Sequence, residues 1–278
     1  MRMDQPLAKL NKALFAASYK VHPYGRPVIG FEKTVQKFDR KKVMEYYQKW
    51  YTPDNMSLVV TGDFQSNESL GAIKSAFIHF TSHLKSSPKR PVESKQEEFR
   101  SIILREDVQN TYLKMAFHIP DITHDDIYAL DVLASILGEG DSSRLYLKVK
   151  SEEELVYSIY AYAFTPRDPG VFMIESVLEG DKVRPALASI LQEIYRLQNK
   201  PPSPDEIRRA KINLESEFIY GKETVQGEAR QLGYFETVVG NVAYEQHYID
   251  RINRVTAFEI SRVCLLYTSD AADELDGV

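Results

Sequence analysis

The feature that most constrains the fold is a pair of β-rich runs, at 155–164 and 171–179, separated by residues 165–170. The connection reads TPRDPG, and its prolines and glycine favour a turn. These two runs predict a hairpin with a long connection. Helical patterns lie on both sides of the hairpin. We therefore predict an α+β fold rather than a doubly wound parallel sheet.

Other segments carry the periodicities expected for helices and strands around that hairpin. Ser203-Pro204-Asp205-Glu206 combines a capping box with proline at the first helical position, which predicts a helix start. Asp39 and Thr123 are expected to cap two further helices. In the helix that opens at Ser66, the apolar residues are expected to face inward. The predicted helices are 6–19, 39–51, 66–80, 123–137, 142–150, 183–194 and 203–220, and the further predicted strands are 56–62 and 112–117.

The chain is predicted to divide into two related domains. Residues 85–98 are polar, contain two prolines and lack a period, so they form the expected linker. Residues 35–43 and 252–260 share one pattern of apolar positions around a helix cap, 217 residues apart. This repeat assigns 1–84 to the C-terminal part of a first domain and 99–263 to a second domain. The first domain is expected to be incomplete, because its matching first half would lie upstream.

The residues after Val263 differ in character from the rest of the chain. They read CLLYTSDAADELDGV, show no helical or strand period, and can be encoded by a transposase sequencing adapter read in frame. We predict that 264–278 is a non-native tail; the alternative is a short acidic C-terminus. Without its four acids the net charge changes from −5 to −1, which gives no support for a nucleic-acid partner. No apolar run reaches the roughly 18 residues of a membrane-spanning helix, and the single cysteine excludes a Cys-based structural zinc site.

Several motifs, in order, resemble the pitrilysin/insulinase family of zinc metallopeptidases, which includes mitochondrial processing peptidase. The segments His22-Pro-Tyr-Gly-Arg-Pro27 and Trp50-Tyr-Thr-Pro-Asp-Asn-Met56 resemble its first domain. Leu137-Gly-Glu-Gly-Asp-Ser-Ser-Arg-Leu-Tyr146 and Glu154-Leu-Val-Tyr157 resemble its second domain. The similarity covers about 1–263. It implies two related α+β domains, each an antiparallel sheet packed with helices, in agreement with the internal repeat.

In that family, H-x-x-E-H on a first-domain helix and a downstream Glu hold zinc, and the Glu of the motif activates the metal-bound water. This chain has no H-x-x-E-H. Its only histidines four apart, His79 and His83, have no acid between them and are expected to mark an exposed helix end. His22 is expected to be structural. The second-domain helix that matches the zinc helix carries Asp131-Val-Leu-Ala134-Ser135, with the ligand and base positions replaced. We therefore predict no catalytic residue, metal ligand or cofactor in this chain, and zinc only in a full-length parent.

The resemblance also implies a role in peptide binding. In the family, an Arg and a Tyr seven residues apart contact substrate near the scissile bond. The Tyr position matches Tyr157, and the Arg position falls on Lys150, which keeps the charge but lacks the bidentate fork of arginine. These two are the predicted substrate-binding residues. The competing interpretation of Tyr157 is a strand residue packed in the sheet, and Arg144 is expected to brace a helix start.

Three interpretations of function follow. In the first, the chain is part of a zinc-dependent endopeptidase, contributes to its peptide-binding chamber and is inactive alone. Its expected partners are a peptide or unfolded-protein substrate, the missing N-terminal half of the catalytic domain, and a second subunit of the same family. In the second, the parent is a non-catalytic family member that serves as a partner or scaffold subunit. The third, an unrelated α+β binding module, requires the run of motifs to be accidental.

Overall fold

A computed structural model of the chain describes residues 5–81 and 89–268. Two short π-helical segments, Tyr146–Glu152 and Phe235–Val239, accompany the regular elements. Within the described ranges, no helix is both long and apolar enough to cross a membrane. In chain order the helices and strands are α1 (Pro6–Ser18), α2 (Glu32–Val35), α3 (Arg40–Trp50), α4 (Ser66–Ala76), β1 (Thr111–Ile119), α5 (Asp126–Gly138), β2 (Ser158–Phe164), β3 (Gly170–Leu178), α6 (Val183–Asn199), α7 (Pro204–Tyr220), α8 (Val225–Tyr234), α9 (Tyr244–Arg254) and α10 (Ala257–Thr268).

The three strands form one antiparallel sheet in the order β1-β3-β2. β2 and β3 pair as the predicted hairpin, with Ser158 opposite Val177. β1 pairs with the other side of β3 along its whole length, starting with Thr111 opposite Leu178. A small antiparallel sheet packed with helices confirms the predicted α+β class.

The core lies between this sheet and α5. Successive residues of a strand point to opposite faces, and in β3 the buried Phe172 and Ile174 belong to the cluster that includes α5. α5 is buried around almost its whole circumference, with Leu130 fully enclosed. α7, α9 and α10 pack around it, and α6 packs on α10. The other face of β3 presents Val171 and Met173 to a second, smaller cluster at the end of α1.

Residues from the predicted first domain and from the predicted linker make hydrogen bonds near the face of the sheet that is turned away from α5. His118 Nε2 of β1 lies 2.9 Å from the carbonyl oxygen of Ser18, and Tyr19 Oη donates to the carbonyl of Pro169 at 2.9 Å. Within the predicted linker, the Glu93 carboxylate accepts backbone N–H bonds from residues 20–22 at 2.8–2.9 Å. The described part of the linker, 89–98, is therefore docked on its neighbours; residues 85–88 lie outside the described residues.

The remainder of the first-domain segment exposes its apolar side chains. Neither α3 nor α4 has a buried residue. Leu70 and Phe77, expected to face inward, are 49% and 50% exposed, so that expectation is wrong for this chain. The predicted strand at 56–62 is also wrong, because the described residues offer it no strand partner. The two differences have the same physical reason. A helix face is buried only where another layer packs against it, and a strand forms only where another strand pairs with it.

Two of the three cap predictions are confirmed. The capping box of Ser203 and Glu206 forms at the start of α7, and the Asp39 side chain accepts the N–H of Lys42 at 2.8 Å. The prediction for Thr123 is wrong. Its N–H and its hydroxyl both bond to the Asp121 carboxylate, which makes a local turn, and α5 begins only afterwards.

The structure also changes two predicted boundaries. The short helix expected at 142–150 is the π-helical segment Tyr146–Glu152. The aperiodic tail was expected to start at Cys264, yet α10 continues to Thr268 and buries Cys264 completely. Residues 269–278 lie outside the described residues, and the non-native origin of the tail stays a prediction.

Candidate functional site

Tyr157 lies immediately before β2, at the end of the sheet where β3 finishes. Its backbone N–H donates to the carbonyl of Val177 at 2.7 Å, which fixes the main chain. Its side chain is 52% exposed and its hydroxyl donates to Glu179 Oε1 at 2.7 Å. That hydrogen bond raises the pKa of Tyr157 and lowers the pKa of Glu179. The ring is thus presented to solvent in one orientation, and it is not packed in the sheet.

Lys150 lies in the π-helical segment that precedes Tyr157. Its Nζ is 4.4 Å from the centre of the Tyr146 ring, a cation–π contact, and the residue is half-buried. Between Lys150 and Tyr157 lies Glu154, a non-glycine residue with φ of 53°. A left-handed residue of this type costs of order 1 kcal/mol and needs support from its surroundings.

Lys182 supplies part of that support. Its Nζ donates to the carbonyl of Glu154 at 3.3 Å and lies 3.6 Å from Glu179 Oε1. It therefore connects the turn after Lys150 with the carboxylate that holds Tyr157. Sequence reasoning missed Glu179 and Lys182 because they lie more than 20 residues from Tyr157. The hairpin register was the available signal, since it places Tyr157 beside the end of β3.

The guanidinium group of Arg144 is paired with the carboxylate of Glu206. Its Nε and Nη2 donate to the two oxygens of Glu206 at 2.6 and 3.2 Å, at the start of α7. Burial disfavours the charged form of Glu206, but the bonds from Arg144 and Ser203 outweigh it and hold the pKa of Glu206 at about 2. This bidentate pair fixes the start of α7 against the segment after α5.

The described residues do not fit a zinc site. They contain no group of three or more His, Cys, Asp or Glu side chains placed to hold a metal ion. His22 is buried in its loop, where Nδ1 accepts the N–H of Tyr24 at 3.2 Å. His79 lies beyond the end of α4, and His83 falls outside the described residues. On α5, Ala134 and Ser135 are buried and Asp131 bonds to a tyrosine, so no base or ligand pair is available.

Comparison with known proteins decides the family. The family model described as the peptidase M16 inactive domain matches residues 37–214. The chain belongs to the peptidase M16 family. This M16 chain is 25% identical over 258 residues to an uncharacterized zinc protease of Rickettsia felis, covering 92% of this chain and 61% of the relative. It is 24% identical over 273 residues to the uncharacterized zinc protease YmxG of Bacillus subtilis, covering 98% and 66%.

A solved structure agrees with the M16 fold. The crystal structure of a protease from Helicobacter pylori superposes with a TM-score of 0.86 at 22% identity, over 96% of this chain and 65% of that one. The predicted resemblance to the pitrilysin/insulinase family and the predicted fold class are thereby confirmed. This M16 chain spans about three fifths of the length of the curated relatives it matches.

Proposed function

We propose that this M16 chain is part of a zinc-dependent endopeptidase, in which it supplies the non-catalytic, peptide-binding domain. The observation that carries the proposal is the exposed ring of Tyr157, held by Glu179 at the end of an edge strand. The naming of the curated relatives as zinc proteases supports zinc-dependent hydrolysis by the longer protein. Because the described residues do not fit a zinc site, no step of the reaction is assigned to them.

The proposed peptide site is the outer side of β2 together with Tyr157 and Lys150. Among the described residues β2 pairs only with β3, so one edge of its backbone has no strand partner, and we propose that an extended peptide pairs there. Peptides commonly add to such edges through main-chain hydrogen bonds. Tyr160 projects from the same strand and is 59% exposed, which offers apolar contact area. Lys150 would supply a positive charge for a peptide carbonyl or carboxylate.

We further propose that the chain lacks the first half of its first domain. The exposed apolar faces of α3 and α4, and the unpaired run 56–62, support this proposal, since monomers rarely leave contiguous apolar faces uncovered. The missing half would add strands beside 56–62 and would carry the zinc ligands. A second subunit of the same family is a further proposed partner.

Peptide binding is tested on the 278-residue chain by fluorescence anisotropy with a labelled, unfolded peptide. We expect saturable binding, weakened about 3- to 10-fold by Tyr157→Phe and by Lys150→Met. Tyr220→Phe is the matched control, because Tyr220 is a 72% exposed tyrosine on α7, away from β2. Absence of saturable binding, or equal affinity of all variants, would overturn the proposed site.

The alternative is a non-catalytic parent that acts as a partner or scaffold subunit. Extending the native reading frame upstream separates the two proposals. A frame that continues into H-x-x-E-H and a downstream Glu supports the peptidase. A frame with those positions replaced supports the scaffold subunit, and peptide binding through Tyr157 can hold in both cases.

A further inference from the structure

A cavity of about 460 Å³ opens between α5, α7, α8 and α9. Thr165, which follows β2 at the end remote from Tyr157, forms part of its wall, so the cavity and Tyr157 lie at opposite ends of β2. Its volume lies in the range of pockets that hold small ligands or single side chains, roughly 300–1,000 Å³. Five aromatic side chains dominate the wall: Phe218, Tyr234, Phe235, Tyr244 and Tyr248.

Two carboxyl groups converge on this aromatic wall. Asp131 of α5 is desolvated and accepts a 2.7 Å hydrogen bond from Tyr248 Oη. Burial, opposed by that hydrogen bond, raises the pKa of Asp131 to about 7. Glu217 of α7 also lines the cavity, and burial together with the neighbouring Glu139 carboxylate raises its pKa to about 7. Each acid would be ionised more readily if a cation lay beside it.

The cavity is short of positive charge. Arg230 is the one basic residue among the described residues that line its wall. Two acids of the wall, Asp131 and Glu217, thus face one guanidinium group. A buried or half-buried carboxylate without a cationic partner is costly, and a ligand that supplies the charge removes that cost.

We propose that this cavity binds an organic cation, a primary ammonium or guanidinium group on an alkyl stem. The head would bond to Asp131 and Glu217, where charge-assisted hydrogen bonds are strongest, and the aromatic faces would attract the cation and cover its stem. A bare metal ion is disfavoured, because no group of three ligating side chains exists among the described residues.

The same chemistry has two sources. One is an arginine or lysine side chain of a bound peptide, and this source rests on the proposed peptide-binding function. The other is a free alkylamine or alkylguanidine, which does not depend on that function. In either case Asp131 is the principal recognition residue, since it lines the cavity and is hydrogen-bonded to Tyr248 of the aromatic wall.

The test uses the 278-residue chain at pH 8, where carboxyls with a pKa of about 7 are mostly ionised. Butylguanidine and its neutral isostere butylurea are titrated by saturation-transfer NMR. We expect butylguanidine to bind at least 10-fold more tightly, and Asp131→Asn, which keeps an acceptor for Tyr248, to abolish that preference. Asp205→Asn is the matched control, because Asp205 is an exposed acid on α7 outside the cavity.

A second variant protects the test against misfolding. If thermal unfolding shows that Asp131→Asn is unstable, Glu217→Gln at the rim is expected to lower the affinity for butylguanidine by about 3- to 10-fold. Equal binding of the charged and neutral probes, or no loss in either variant, would overturn the cation site.

The source of the cation is decided with a pair of unfolded peptides that differ only by arginine against citrulline. Tighter binding of the arginine peptide, lost in Asp131→Asn, identifies a peptide side chain as the ligand. If butylguanidine binds but neither peptide does, the ligand is a free cation and the proposed peptide-binding function fails while the cavity assignment stands.

Discussion

Substitution of Glu206 by Gln probes the contact that fixes the start of α7 to Arg144, in the segment after α5. The carboxylate accepts from Arg144 and from the N–H and hydroxyl of Ser203, and its side chain is only 20% exposed. A pKa of about 2 against the ordinary 4.5 corresponds to about 3 kcal/mol of native-state stabilisation. Partial solvent screening reduces this, and we expect Glu206→Gln to cost about 1.5–2 kcal/mol at pH 7.

The stabilisation by Glu206 depends on pH. Because the folded-state pKa of Glu206 is lowered, its stabilisation is present above pH 4.5 and is lost as the pH falls towards 2. In urea unfolding, the free energy of unfolding of Glu206→Gln should therefore be lower than that of wild type at pH 7. At pH 3 the difference between the two proteins should be less than half as large. The expected change in Tm at pH 7 is roughly 3–8 °C.

Asp205→Asn provides the matched control for this experiment. Asp205 and Arg208 form an ion pair on the same turn, but both side chains are about 70% exposed, so the expected change is within about 0.5 kcal/mol. A difference in unfolding free energy between wild type and Glu206→Gln of less than about 0.5 kcal/mol at pH 7 would refute the stabilising role of this contact. An equal difference at pH 7 and pH 3 would refute it as well.

Three further predictions concern packing. Gly138→Ala should lower the free energy of unfolding in urea by more than about 3 kcal/mol, because its Cβ would lie 2.2 Å from the backbone nitrogen of Ala161. A smaller loss would mean that α5 can shift away from β2. Phe172→Ala should cost about 3–5 kcal/mol in the same assay, since the ring is fully buried, and a cost below 1 kcal/mol would contradict the assigned core. Residues 1–84 expressed alone should aggregate in light scattering while 99–263 unfolds cooperatively, and cooperative folding of 1–84 would contradict the proposal that its apolar faces need a partner.

Much of the segment 99–263 could be predicted because its local signals agree with its tertiary structure. The capping box at Ser203 starts α7 as expected, and the connection at 165–170 makes the predicted hairpin. Thr123 failed as a cap because Asp121, two residues earlier, competes for its N–H and hydroxyl. Such short-range competition between polar side chains is not visible in helical periodicity.

The first-domain segment shows where sequence reasoning stops. The run 56–62 has strand composition, but a strand forms only when another strand pairs with it. The site has the same limit. Tyr157 could be placed by motif, whereas its partner Glu179 and the bridging Lys182 depend on the hairpin register and on the turn at Glu154. The cavity beside Asp131 depends on four helices that meet only in the folded chain.

The central claim is that this M16 chain binds peptide but holds no catalytic zinc site of its own. The most direct test incubates the purified 278-residue chain with zinc, removes excess metal by dialysis, and measures bound zinc and cleavage of an unfolded peptide with and without a chelator. The account predicts no retained stoichiometric zinc and no chelator-sensitive cleavage, with both present in a protein extended upstream to H-x-x-E-H. One zinc per chain together with chelator-sensitive cleavage by the chain alone would contradict it.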